Sequence, residues 1–207
     1  MELAPGASLE KVALAEEFGL SRPPVRELLR QMAAEGYLKL EANRASRVAS
    51  MSFDSLRNYF LAAPLIYVAT TKLAAAHATG AEIVQLRRIQ ERFRTAVEGN
   101  IVDDRVLEND HFHFAIGKMA RNPYLMPSLC RLLTDHARLG RTFYQPRDER
   151  RDVELAEAVQ QHEDSIDAIE RRDAEAAGAI VLAHVNLARR NIASYVAPEG
   201  VTAPVEF

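Results

Sequence analysis

The chain has 207 residues, of which 48% are hydrophobic and 27% charged, and its formal net charge is −3. At roughly 150 residues per domain, this length predicts one large domain or a small domain joined to a medium one. The composition is typical of a soluble globular protein, and the near-zero charge argues against nucleic-acid binding by bulk charge. The single cysteine, Cys130, excludes a disulfide framework and a multi-cysteine zinc site, which favours the cytoplasm.

The sequence indicates no membrane partner. The longest apolar run, from Leu61 to Thr70, is interrupted by Pro64 and is far shorter than the ~20 residues needed to cross a bilayer. The N-terminal residues MELAPG lack the basic and apolar regions of a signal peptide. We therefore expect a cytoplasmic protein without membrane contact.

Residues 1–50 predict two short helices followed by a hairpin. The first helix, over SLEKVALAEEF, is expected to be capped by Ser8 and to end at Gly19, where a left-handed residue is most easily accommodated. The second is expected to be capped by Ser21 and to carry Pro24 in its first turn, where a missing N–H group costs little. The segments YLKLE and SRVAS then predict two strands joined by a tip that carries Arg44.

The second helix carries arginines at every fourth residue along one side. A guanidinium can bind a phosphate or bond O6 and N7 of guanine, so this side suits the major groove of DNA. The spacing alone is equally compatible with a solvated helix face. Two helices joined by a glycine turn and followed by a hairpin predict a winged helix-turn-helix, in which these arginines are Arg22, Arg26 and Arg30.

The segment LAEEFGLSRPPVRELLRQMAAEGYLKLEANRASRV resembles the GntR family of bacterial transcription regulators. The resemblance implies that Arg22 and Arg26 contact DNA, that Ser21 caps the helix and that Pro24 occupies the family's proline position. It also implies a basic residue in the preceding helix and a wing, whose usual glycine is Ala45 here. The expected DNA-binding residues are Lys11, Ser21, Arg22, Pro24, Arg26, Arg30, Arg44 and Arg47.

The family has another helix before its Gly-x-Leu-x-Pro-Gly segment, whereas this sequence begins at MELAPG. We therefore expect the winged helix-turn-helix to lack its first helix. Either the start codon has been assigned too late or the domain is truncated, and both explanations stay open here.

From Phe53 onward the hydrophobic pattern has helical period, with turn signals between the periodic segments. It predicts an all-α antiparallel bundle over residues 53–197, with a loose tail over 198–207. Pro64 lies inside the first segment, so that helix is expected to kink or to start late. The six expected helices cover about 53–78, 81–98, 103–120, 123–144, 150–172 and 173–196.

Four of the six histidines take positions on apolar stripes of these helices: His113, His136, His162 and His184. One such histidine alone is best explained as a hydrogen-bonded core residue. Four that converge on one interior each need a partner, and imidazoles do not satisfy each other well in a dry core. A divalent metal such as zinc or nickel would supply that partner, and Asn109 or Asp110 could add an oxygen.

Three segments of this region resemble the FCD effector domain of the FadR subfamily: NDHFHFAIGKMARNPYL, QHEDSIDAIERRDAEAA and AHVNLARRNI. The resemblance implies a metal held by Asn109, His113, His162 and His184. His136, on the inward stripe of the neighbouring helix, would then hydrogen-bond the effector or complete the metal shell. Asn109 is uncharged and therefore compensates less of the metal's positive charge than an aspartate would, which favours a small carboxylate effector. A homodimer that binds palindromic operator DNA is expected.

The alternative interpretation is a metal-dependent helical-bundle enzyme. A di-iron site needs a Glu-x-x-His motif on each of two helices, and the sequence has only the one at Glu108 and His111. A mononuclear zinc hydrolase would be expected to carry His-Glu-x-x-His, which is absent. The favoured interpretation is therefore a metal-containing, effector-responsive DNA-binding regulator without catalytic activity.

Overall fold

The structure is a computed structural model that describes residues 6–40, 45–49, 52–143 and 149–196. The chain divides into two units, Met1–Leu56 and Arg57–Phe207, which are described separately. The expected tail over 198–207 and the wing-tip residue Arg44 lie outside the described residues.

The first unit contains two helices and a small antiparallel sheet. Helices α1 (Lys11–Glu17) and α2 (Arg22–Ala34) are separated by a turn in which Gly19 has a φ of 62°. The strands are β1 (Ser8–Leu9), β2 (Leu38–Lys39) and β3 (Ser46–Val48), and β3 lies between the other two. The two helices followed by the β2–β3 hairpin confirm the expected winged helix-turn-helix.

Ser8 does not cap α1, so that prediction is wrong. Ser8 lies in β1, opposite Arg47 of β3, and the N-cap of α1 is Glu10, whose side chain makes no capping hydrogen bond. The pairing places Leu9 in the core of the unit, against a cluster that contains Val25 and Leu29. Burial of Leu9 and pairing with β3 together outweigh the local capping preference of a serine.

Ser21 is the N-cap of α2 by backbone geometry, but its side chain makes no capping hydrogen bond. A serine cap binds the N–H group of the second or third helical residue. In α2 these two positions are Pro23 and Pro24, which have no N–H group. The expected capping by the Ser21 hydroxyl is therefore wrong, because the prolines remove both donors.

Six helices follow in the described part of the chain, as expected for an all-α bundle. Helix α3 runs through Pro64 rather than starting after it, and α6 begins at Met126, three residues later than expected, after a turn held by Asn122. The helices are α3 (Phe53–His77), α4 (Gly80–Glu98), α5 (Val102–Met119), α6 (Met126–Phe143), α7 (Glu149–Glu170) and α8 (Ala174–Val196).

Arginine side chains close the carboxyl ends of two helices. Arg105, only 2% exposed, donates from Nε to the Ala96 carbonyl at 3.1 Å and from Nη2 to Asn100 Oδ1 at 2.5 Å, at the end of α4. At the end of α3, Arg172 donates from Nη2 to the Ala78 carbonyl at 2.5 Å. A cation at this end satisfies free carbonyl groups and opposes the helix dipole.

Helix α5 packs closely against α6 through Gly117. A Cβ atom at Gly117 would lie 2.2 Å from Leu129 Cδ2, and Leu129 is fully buried. The glycine therefore sets the spacing between the two helices. This close approach positions α5, which carries several of the candidate metal ligands.

We expect Gly117→Ala to lower the free energy of unfolding by about 1–3 kcal/mol, because overpacking outweighs the better helix propensity of alanine. Gly178→Ala is the matched control. A Cβ there would meet the Cε atom of Lys72, at 2.6 Å, near the end of a flexible side chain that can move aside. Urea denaturation of both variants should show Gly178→Ala to be neutral or stabilising. Equal effects of the two substitutions would contradict this account of α5.

Candidate metal centre and DNA-binding surface

Those expected DNA-binding residues that the structure describes are all exposed to solvent on the first unit. Arg22, Arg26 and Arg30 are exposed on α2, whereas Val25 and Leu29 of the same helix are buried. Their face is therefore accessible to a ligand. The Arg30 guanidinium lies 3.5 Å from a carboxylate oxygen of its neighbour one turn earlier, Glu27.

The other expected contacts flank this helix in sequence. Ser21 and Pro24 are exposed at the start of α2, and Lys11 is the exposed first residue of α1. Arg47 is exposed on β3, and its Nη1 donates to the Gly6 carbonyl at 3.3 Å.

Three buried histidines of the second unit form one cluster. His113 on α5, His162 on α7 and His184 on α8 offer nitrogen atoms that all lie within 4.8 Å of one another. The ring centroids of His162 and His184 are 4.7 Å apart, and that of His113 lies 5.4 Å from His162 and 5.3 Å from His184. Three helices thus bring three imidazoles to one point inside the bundle.

Two glutamines orient the rings of this cluster. His162 Nδ1 donates to Gln90 Oε1 at 2.9 Å, and the Gln90 amide nitrogen donates to the Val159 carbonyl at 3.1 Å. In the same way His184 Nδ1 lies 3.1 Å from Gln161 Oε1. A proton on Nδ1 leaves Nε2 as the free lone pair, which is how outer hydrogen bonds prepare a histidine to bind a metal.

Three polar atoms of the candidate ligands are buried without a partner. Among the described residues, Asn109 Oδ1, His113 Nδ1 and His162 Nε2 are inaccessible to solvent and have no hydrogen bond. Leaving a buried polar group unsatisfied costs about 1–3 kcal/mol. Imidazole nitrogens and amide oxygens are ligand atoms that zinc or nickel accepts, so the residues present fit a divalent ion.

Burial keeps the three imidazoles neutral. It lowers the pKa of His113 and of His162 well below the ordinary value, and neighbouring histidines lower it further. The pKa of His184 is lowered to about 3, first by burial and then by electrostatic interaction with the neighbouring His136. A neutral imidazole is the form that binds a metal, so the cluster is ready to coordinate at physiological pH.

His136 lies beside the cluster and binds a carboxylate. Its Nδ1 is 2.8 Å from Asp110 Oδ1 and 3.4 Å from Asn109 Nδ2. Because the Asp110 carboxylate can only accept, His136 Nδ1 donates a hydrogen bond to it. The contact of the same nitrogen with the Asn109 amide nitrogen is longer and joins two donors. Asp110 is therefore engaged in this pair, whereas the oxygen of Asn109 stays unpaired, one turn before His113.

Aromatic rings cover the histidines. Phe112 stacks on His162 with centroids 3.9 Å apart, Phe93 lies 4.8 Å from the same ring, and Tyr67 meets His113 edge-on at 4.8 Å. These rings exclude water and lower the local dielectric, which strengthens the binding of any charge that enters.

The residues of the alternative enzyme site lie elsewhere. His111, with a half-exposed side chain, is 3.3 Å from Glu108, whose carboxylate also pairs with Arg92 at 2.8 Å. This group does not join the histidine cluster. The Glu108-x-x-His111 motif thus contacts Arg92 and lies outside the histidine cluster.

The sequence analysis missed the two glutamines. Gln90 is 1% exposed and interrupts a buried stripe that contains Ile83, Leu86, Ile89 and Phe93. A polar residue within such a stripe is the signal that could have identified it. Gln161 lies beside His162 in sequence but binds His184, and no sequence pattern indicates that pairing.

Comparison with protein families matches residues 1–48 to the bacterial regulatory proteins of the gntR family and residues 65–187 to the FCD domain. The HTH-type transcriptional repressor RspR of Escherichia coli K12 is 27% identical over 188 residues, which cover 88% of this chain and 78% of that protein. The uncharacterized HTH-type transcriptional regulator YdhC of Bacillus subtilis 168 is 26% identical over 184 residues, covering 88% and 80%.

Among solved structures, that of E. coli McbR/YncC is similar with a TM-score of 0.79. Its sequence is 22% identical, and the match covers 93% of this chain and 88% of that one, which shows a shared fold. The matched families and the named relatives are transcription regulators and not enzymes. The chain therefore belongs to the GntR family of DNA-binding transcription regulators and carries an FCD domain after its winged helix-turn-helix.

Proposed function

We propose that this regulator controls operator binding through a small carboxylate effector bound at a divalent metal ion in the FCD domain. Asn109, His113, His162 and His184 would hold the ion. The observation that carries the proposal is the convergence of three buried imidazoles whose nitrogens lie within 4.8 Å of one another. The protein acts in the cytoplasm, where operator DNA is accessible.

The donor set supports zinc, nickel or a similar ion. Three neutral imidazoles and one amide oxygen match the ligands that these ions accept. When bound, the ion supplies positive charge and coordination positions that remain open to an exogenous ligand. The glutamines on His162 and His184 hold the rings in place, as outer hydrogen bonds do in metal sites.

The effector chemistry follows from the charge of the ligands. Asn109 and the three neutral histidines contribute no negative charge, so a dication in this buried site would lack a direct counter-ion. A carboxylate both coordinates and neutralises, which makes it the best match. His136, held by Asp110 at 2.8 Å, is placed beside Asn109 to bind such an effector or to complete the metal shell.

The DNA-binding function uses the exposed face of α2. Arg22, Arg26 and Arg30 lie on that face, and the flanking Lys11 and Arg47 add positive charge. A homodimer would present two such helices to two halves of a palindromic operator. Symmetric presentation is how small modules of this kind gain specificity.

The first prediction concerns the metal. We expect purified protein to contain about one divalent ion per chain, and His162→Ala or His184→Ala to abolish binding and lower the melting temperature. A ligand present at 100 times its Kd stabilises the folded state by about 2.7 kcal/mol. Elemental analysis and melts with and without chelator would measure both effects.

His111→Ala is the matched control, since this half-exposed histidine is two residues from His113 but lies outside the cluster. It should keep the metal and the chelator-sensitive melt. If the wild-type protein takes up no zinc or nickel and melts identically with chelator, the histidines are ordinary core residues.

The second prediction concerns Asn109. We expect Asn109→Asp to raise zinc affinity by about tenfold or more, because ligand charge strengthens metal binding. The same change should weaken the thermal stabilisation that citrate or acetate gives to the zinc-loaded wild type, since the site then has its own counter-ion. Asn109→Ala, which removes the oxygen, should lower zinc affinity. Indistinguishable zinc affinities of all three proteins would remove Asn109 from the ligand set.

The third prediction concerns DNA. Arg22→Ala and Arg26→Ala should each weaken binding to a duplex that the wild type enriches from a randomised pool. A lost base contact should cost ~1–3 kcal/mol and relax specificity, whereas a lost phosphate contact should reduce the salt dependence. Arg88→Ala, on the second unit, should bind normally. Wild-type affinity in both α2 variants would place DNA recognition elsewhere.

A further inference from the structure

A hydrogen-bond chain connects the buried ring of His184 to the protein surface. His184 Nδ1 lies 3.1 Å from Gln161 Oε1, and the Gln161 amide nitrogen donates to Glu157 Oε1 at 2.9 Å. Arg190 Nη2 lies 3.4 Å from the same carboxylate oxygen. The Glu157 side chain is 43% exposed, whereas His184 is buried. A solvent-exposed carboxylate is thus two hydrogen bonds away from a candidate metal ligand.

A second hydrogen-bond chain of the same kind ends inside the bundle. It runs from His162 Nδ1 to Gln90 Oε1, at 2.9 Å, and from the Gln90 amide nitrogen to the Val159 carbonyl, at 3.1 Å. Val159 and His162 both belong to α7, whereas Gln90 belongs to α4. A carbonyl oxygen has two lone pairs, so the Val159 carbonyl can accept this bond in addition to one within its own helix.

Both hydrogen-bond chains end on a group that can only accept. A carboxylate and a backbone carbonyl have no hydrogen to donate, so each glutamine must turn its NH2 group toward them. The amide oxygen then faces the histidine, which can bond to it only through a protonated Nδ1. Because a neutral imidazole carries a single N–H, its Nε2 keeps the lone pair. The acceptor at the end of each hydrogen-bond chain therefore decides which ring nitrogen is free.

We propose that these two terminal acceptors, Glu157 and the Val159 carbonyl, select Nε2 as the coordinating atom of the histidine at the other end. This inference rests on the metal site of the proposed function and adds the groups that choose the atom through which two of its ligands bind. Glu157 is a positioning residue, since it acts on His184 through Gln161. It is also the one of the two acceptors that a substitution can remove.

A glutamine beside a buried histidine can have a purely structural role, which is to satisfy Nδ1. A water molecule or a hydroxyl group would satisfy that atom equally well, but both can donate as well as accept and so leave the proton free to occupy either nitrogen. In the described part of the protein, His162 Nδ1 is paired while His162 Nε2 is buried without a hydrogen bond. The arrangement thus satisfies one nitrogen and reserves the other for a ligand.

The first test locates the ring protons in the full-length protein after treatment with chelator. Two-bond 1H–15N NMR spectra distinguish an imidazole protonated at Nδ1 from one protonated at Nε2. We expect Nδ1 protonation of both His162 and His184 in the wild type. Glu157→Lys should give His184 a population protonated at Nε2, because a lysine donates and favours the reversed amide, and should leave His162 unchanged. A wild-type His184 protonated at Nε2 would overturn the proposal.

Asp164→Lys is the matched control for this substitution. Asp164 is exposed on α7 and accepts from the Gln160 amide nitrogen at 2.9 Å, as Glu157 accepts from Gln161. Gln160 is exposed and takes no part in the hydrogen bonds described for His184. The control therefore makes the same change of charge on the same helix and should keep the wild-type spectrum. Equal effects of the two substitutions would assign them to charge alone and overturn the role of Glu157.

The second test measures zinc affinity by competition with a chromophoric chelator. Gln90→Met and Gln161→Met remove the acceptor at similar volume and should each weaken zinc binding by about 10–100-fold. Glu157→Lys should weaken it by roughly two- to tenfold, because a solvated hydrogen bond contributes less. Gln90→Glu keeps an acceptor toward His162 and should retain most of the affinity. Gln160→Met, the same change at an exposed position, should bind zinc like the wild type.

Failure of this inference and failure of the proposed function give different results. A wild type that takes up no zinc would overturn the metal site and, with it, any selection of a coordinating atom. Wild-type zinc affinity in both Gln90→Met and Gln161→Met would overturn this inference and leave the metal site intact. An unchanged His184 tautomer in Glu157→Lys would remove Glu157 from the positioning groups.

Discussion

Burial of unpaired polar atoms is the constraint on which the helical unit depends. Nitrogens of His113 and His162 and the oxygen of Asn109 lie out of reach of water without a hydrogen bond. Glutamines on the other ring nitrogens of His162 and His184 fix the tautomers, so the free lone pairs belong to one small volume. An ion that accepts these lone pairs would remove the desolvation penalty as well as create a binding site for an effector. Stability and effector response would then depend on the same atoms.

The helix α5 links this site to the packing of the bundle. It carries Asn109 and His113 and, near its start, the buried Arg105, whose side chain closes the end of α4. Near its other end, Gly117 permits close contact with Leu129 of α6, the helix that carries His136. The buried guanidinium of Arg105 and the absence of a side chain at Gly117 thus determine the position of α5.

Two features distinguish this chain within the pattern its family implies. In the proposed metal site, the neutral Asn109 would leave a bound dication without a direct counter-ion, which would favour an anionic effector over a neutral one. An uncharged stretch of α3 lies between Arg57 and the Lys72–Glu175 pair.

The sequence by itself determined the number and approximate extent of the helices, the winged helix-turn-helix and the set of inward-facing histidines. These follow from local periodicity, from turn residues and from a motif that extends along a continuous segment. The capping rule failed at Ser8 because a partner distant in sequence decided the outcome: Ser8 pairs with β3 as part of a strand. Only the tertiary structure showed that Gln90 binds His162, across 72 residues of chain, and that Asp110 pairs with His136 while Asn109 keeps its oxygen unpaired. Hydrogen bonds between helices depend on how the helices rotate and pack, and one helix's periodicity carries no information about its neighbour's rotation.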